Sequence, residues 1–147
     1  MPTAARLFAA IGFALVAFFA SESFIFVLPE GTNPGPFSEI NAALGALAGW
    51  RVMGRLAGKG NVAAVTTGFR TTVTMVVFAL VLHSLYEMIR LSMKLRYDGP
   101  GEAITEFFQM LMDYGLMIVT SVPVVLILLI GGTLAAWLTE WAARRWN

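Results

Sequence analysis

The chain of 147 residues contains no cysteine and a single histidine, His83. The first absence removes disulfides, thiolate metal sites, a nucleophilic thiol and thiol redox chemistry together. The second leaves no set of imidazoles from which a metal centre is usually built. Charge is scarce as well: 13% of residues are Asp, Glu, Lys or Arg, against about a quarter in a soluble domain. There is no nucleophile with its base, no glycine-rich nucleotide loop, no pair of catalytic carboxylates and no zinc signature. The expectation is a protein that is not an enzyme, holds no metal and has no nucleic-acid partner.

What the chain does have is apolar length. It is 58% hydrophobic, with a mean hydropathy of +0.75, and each bilayer crossing takes about 20 mostly apolar residues. The fold class expected is therefore an all-α membrane protein, a single domain over 1–147 with four transmembrane helices. The spans fall at 7–28, 37–54, 62–89 and 114–139, and an amphipathic helix occupies 102–113. The first, Leu7 to Leu28, has one basic residue before it and Phe18 at the position three before Ala20, so it reads as a retained anchor rather than a secretory signal. Pro29, Pro34 and Pro36 with Gly31 and Gly35 turn the chain after it. The last, Tyr114 to Thr139, carries no charge, and Pro123 inside it predicts a kink.

Orientation follows from the basic residues, which are in excess in short cytoplasmic loops. With the N-terminus inside, Arg6, Arg51, Arg55, Lys59, Arg70, Arg144 and Arg145 fall on the inner side, and only Arg90, Lys94 and Arg96 on the outer. The aromatics divide the same way. Trp50, Trp137, Trp141 and Trp146 gather at the inner boundary, Tyr86, Tyr97 and Tyr114 at the outer, as interfacial belt residues do. Both termini are expected in the cytoplasm, with Trp50, Trp137, Trp141, Arg144 and Arg145 as inner anchors. Glu140 and Arg144 read as an exposed pair four residues apart, contributing about 0.3–0.5 kcal/mol and mattering less than the indoles.

The polar stretch between the last two spans is then extracytoplasmic. Gly99, Pro100 and Glu102 form a helix start. Beyond it, Ile104, Phe107, Phe108 and Leu111 share one face, while Glu102, Thr105, Glu106, Gln109 and Asp113 share the other. Such a helix rests on its own bundle or on lipid, or else docks on a partner. Glu102, Glu106, Phe107 and Phe108 are the partner candidates here. Gly45 and Gly49 in the second span form a small-xxx-small pair, a packing face within the bundle or against a partner.

Within the spans, Glu22 and His83 lie at similar depth, and an ionisable group there costs about 2 kcal/mol or more unless paired or hydrated. They are expected to meet as an intramembrane polar pair, either a plain hydrogen bond or a proton-responsive one. His83 and Glu87 are four apart, as in some metal sites, but two ligands make a weak site. The eight methionines read as packing residues before thioether ligands. No cofactor is evident, although the apolar surface leaves room for bound lipid or pigment.

At WRVMG (Trp50 to Gly54), RYDGP (Arg96 to Pro100), EWAARRW (Glu140 to Trp146) and LPEGT (Leu28 to Thr32), the sequence resembles the TrgA family of small bacterial inner-membrane proteins associated with tellurite resistance. The likeness covers essentially the whole chain and brings no catalytic residues with it. It implies a multi-pass protein of the bacterial inner membrane, in organisms where tellurite handling is tied to membrane electron flow. The function expected is a non-enzymatic accessory or assembly subunit packed against a larger membrane complex, photosynthetic or respiratory, in contact with membrane lipids. The alternative is a resistance or transport factor for tellurite or another toxic oxyanion. Direct reduction by protein thiols is excluded, since there are none.

Overall fold

A computed structural model describes residues 3–146 as helices joined by short turns, with no strand among the described residues. Helix α1 is Thr3–Ile25 and α2 is Phe37–Ala48. The latter continues through a π-helical turn, Gly49–Met53, and a closing turn, Gly54–Leu56. Helix α3 is Asn61–Met93 and α4 is Pro100–Thr120. Helix α5, Val122–Arg145, contains a second π-helical turn at Ile127–Gly131. Three helices are long and apolar enough to cross a membrane, over Ala4–Ile25, Asn61–Met93 and Val122–Arg145.

Helix α1 is the centre of the packing. Its Ala9, Phe13, Val16, Ala17, Ala20 and Phe24 supply much of the buried core, met by Met53 from the end of α2, Met75 from α3, and Val124, Leu128 and Ala136 from α5. Lipid gives helices no hydrophobic reason to associate, so close backbone approach through small residues does that work. A Cβ added to Gly45 would collide with the Phe13 carbonyl, one on Gly49 with that of Ala9, and one on Gly54 would lie 2.7 Å from Arg6 Cα. These glycines are spaced four and then five apart. In a regular helix the third would turn away by about 140°. The π-helical turn, in which the Gly54 N–H reaches the Gly49 carbonyl, takes up the extra residue and keeps all three against α1. Gly68 and Gly132 do the same for α3 and α5, their added Cβ atoms meeting Ala136 Cβ at 2.6 Å and Thr72 Oγ1 at 2.5 Å.

The chain departs from the sequence reading after residue 113. Tyr114 to Thr120, assigned to the last span, instead complete α4, and the kink expected at Pro123 is a full break: Ser121 is extended (φ −83°, ψ 100°). Pro123 has no N–H for the Val119 carbonyl and its ring would clash with that turn of a continuous helix, but proline is tolerated in a helix's first turn. That is where Pro123 stands in α5. Helix α3 is about 50 Å long at 1.5 Å per residue, well beyond a hydrocarbon core of about 30 Å.

Candidate functional site

At the end of the bundle away from the termini, α1, α2, α3, α4 and the top of α5 surround a cleft of about 710 Å³. Its floor is apolar, with Ala17, Phe24, Met75, Leu80, Met117 and Leu128. Its upper wall carries Ser21, Asn41, His83, Glu87, Arg90, Asp113 and Tyr114, and the turn from Pro29 to Pro34 lies at the mouth. Phe37 stacks on Phe24 at 5.8 Å and lies tilted against the His83 ring at 4.5 Å, so three helices are held together beside it.

A directed chain of hydrogen bonds crosses that wall. Ser21 Oγ donates to the Ala17 carbonyl (2.7 Å), Asn41 Nδ2 donates to Ser21 Oγ (2.8 Å), and His83 Nε2 lies 2.9 Å from Asn41 Oδ1. A hydroxyl has one proton, so Ser21 can only accept from Asn41, and this fixes the amide. The amide oxygen can only accept. His83 therefore carries a proton on Nε2, and in the neutral form of the ring Nδ1 is an acceptor. Below the mouth, Arg90 donates to Glu87 (2.6 Å), and Asp113 has no ion-pair partner among the described residues.

The intramembrane pair expected of Glu22 and His83 is not formed. Glu22 is exposed and accepts from Ser38 (2.5 Å), while His83 is satisfied by Asn41. Counting residues along two helices gives their depth, but not the direction each side chain takes around its helix. Asn41 and Ser21, the real partners, are ordinary polar residues with no distinguishing spacing.

The other candidates are placed as follows. Gly45 and Gly49 are buried against α1, so they serve the bundle and offer no face to a partner. Glu102 accepts from the Asp98 N–H (2.8 Å), reaching back from the first turn of α4 in the manner of a capping box. Glu106 accepts from the Tyr97 hydroxyl at 3.5 Å. Phe107 is half-buried, whereas Ile104 and Phe108 face outwards, which splits the apolar face expected to be shared. No residue of α4 is buried.

At the termini end, Trp141, Trp146 and Phe8 form an aromatic cluster, with Phe8 stacked on Trp146 at 5.4 Å and Arg145 lying 5.5 Å from the Trp141 ring centre. Trp50 and Trp137 are exposed. Glu140, expected in an exposed pair with Arg144, is instead only 2% exposed. Its two carboxylate oxygens accept the backbone N–H groups of Gly58 (2.6 Å) and Gly60 (2.7 Å), with Arg144 Nε at 3.2 Å. Arg144 also reaches Asn61 Oδ1 at 2.9 Å, so it ties α5 to the start of α3 rather than standing free as an anchor.

No group of three or more His, Cys, Asp or Glu side chains that could hold a metal ion occurs among the described residues. No family model, no curated protein and no solved structure matches the chain.

Proposed function

We propose that this protein is a non-enzymatic accessory or assembly subunit of the bacterial inner membrane, held against a larger membrane complex through α4. The observation that carries this reading is the exposed apolar stripe of Ile104, Phe108, Met112, Leu116 and Val119 on α4, whose other face only partly buries Tyr114, Met117 and Ile118 against the bundle. Such a stripe needs cover, from the acyl boundary beneath the lipid headgroups or from protein. Helices that lie in the headgroup boundary carry Lys and Arg on their polar face. Helix α4 carries Glu102, Glu106 and Asp113 and no basic residue, so an anionic surface repels it and a protein groove suits it better.

The resemblance to the TrgA family supplies the partner class, a photosynthetic or respiratory electron-transfer complex. The alternative role in oxyanion resistance or transport gains nothing from the basic residues that would serve it. Arg51, Arg55, Lys59 and Arg70 are all exposed, and none lines the cleft. Tellurite flux into liposomes containing the purified protein would favour that alternative.

The decisive experiment is extraction from native membranes in mild detergent. A stoichiometric complex is expected, and replacing both Phe108 and Met112 with Ser should release the partner while leaving the amount of membrane-inserted protein unchanged. Glu102 is a poor target for charge reversal, since it also caps α4. Recovery of the chain without a stoichiometric partner, or a complex that survives the double substitution, overturns the reading.

A further inference from the structure

We infer that the cleft at the far end of the bundle binds an amphipathic molecule with a single apolar body and a hydrogen-bond-donating, uncharged or cationic head, and that it discriminates against anions. This does not depend on the accessory-subunit reading, which concerns the opposite face of α4. The volume of about 710 Å³ lies within the range of small-molecule sites, about 300–1,000 Å³. The lining is arranged in two zones, as an amphipath requires. The floor is made of aliphatic, aromatic and methionine side chains, the last adaptable to an irregular apolar body. All the polar groups stand on the upper wall and mouth.

The head group is specified by which hydrogen-bonding capacity remains. The Ser21 proton is used on Ala17, Asn41 donates to Ser21, and the His83 Nε2 proton is used on Asn41. The neutral imidazole therefore keeps an acceptor at Nδ1. The single cation lining the cleft, Arg90, is already neutralised by Glu87 at 2.6 Å. Asp113 adds a carboxylate with no ion-pair partner among the described residues. The Tyr86 and Tyr114 hydroxyls, also in the lining, can donate or accept, so charge decides: one carboxylate in excess at the rim favours a positive head and disfavours an anionic one.

The test uses the full-length protein in a neutral detergent, with dodecylamine and dodecanoate as probes of identical chain length and opposite charge, bound molecules being counted by native mass spectrometry. Dodecylamine should bind one per protein and at least tenfold more tightly than dodecanoate. Ala79 on α3 also lines the cleft, and Ala79→Phe, which fills it, should abolish that binding. Because a core substitution can compromise folding, Asp113→Lys at the exposed rim provides the second arm: it should weaken dodecylamine tenfold or more and let dodecanoate in. A single-chain, uncharged or cationic lipid that co-purifies from native membranes and is lost in Ala79→Phe identifies the bilayer as the source. Uptake of dodecylamine by protein that carries no such lipid identifies a free molecule. Equal binding of the two probes, or unchanged dodecylamine binding in a folded Ala79→Phe protein and in Asp113→Lys, overturns the inference.

Discussion

A carboxylate that is 2% exposed must have partners for both oxygens, and Glu140 finds them in the backbone of the turn between α2 and α3. Gly58 and Gly60 have φ of +93° and +105°, a conformation that side-chain-bearing residues rarely adopt. It turns both N–H groups onto one carboxylate, a small anion-binding nest filled by the protein itself. Hydrogen bonds to a charged group contribute about 1.5–3 kcal/mol, far above an exposed ion pair. Glu140→Ala should therefore lower the unfolding free energy in detergent by about that amount. Trp141→Ala, at a residue 48% exposed, should cost less. Thermal unfolding of the two variants side by side checks the order, and a larger loss in Trp141→Ala would restore the anchor-dominated ranking that the sequence suggests. This site is hard to read in the sequence because its donors are backbone groups. Arg144, at i+4, is the only side-chain signal, and it points to a surface pair. The pattern Gly-Lys-Gly-Asn before α3 is the one local hint of a specialised turn.

Among the elements, α1, α3 and α5 are legible because long apolar runs of helical length have few alternatives in a bilayer. The ends of α4 and α5 are less so, since an uncharged run from Tyr114 to Thr139 reads as continuous and only Pro123 marks the break at Ser121. The face of α2 is a subtler case. Gly45 and Gly49 announce close packing, but not against what, and the π-helical turn that brings Gly54 into the same row leaves no periodic signature. The contact with α1 is tight enough to test directly. Gly45→Val places a Cβ against the Phe13 carbonyl and the Ala17 Cβ, and overpacking of a filled interface costs about 1–3 kcal/mol. The yield of folded, monodisperse protein after extraction should fall. Gly115→Ala is the control, since its added Cβ meets nothing nearer than Leu80 Cδ1 at 3.9 Å. If the two variants behave alike, backbone proximity of α1 and α2 is not what holds them.

For the whole molecule the open quantity is the number of crossings, and it turns on α2. Alone, this element is too short and too polar to resemble the other three spans, with Glu39, Arg51 and Arg55 along it. Its packing argues otherwise. Phe37 stands beside Phe24 near the end of α1, and the row Gly45, Gly49 and Gly54 passes Phe13, Ala9 and Arg6 in turn. Helix α2 therefore runs antiparallel along nearly all of α1, and we propose that the two cross together. Four crossings, both termini in the cytoplasm and the α3–α4 turn outside also agree with the distribution of Lys and Arg, seven on one side and three on the other. That topology would set Arg51, Arg55 and Lys59 at the inner surface, on the side of Glu140 and Arg144, with the cleft opening outwards. Reporter fusions decide the matter: a fluorescent protein fused after Asn147 should shine in the cytoplasm, and an alkaline phosphatase inserted at Gly99 should be active outside. Phosphatase activity from a fusion at the N-terminus, with both other reporters unchanged, would keep Lys59 inside, deny α2 a crossing and leave three crossings, by α1, α3 and α5.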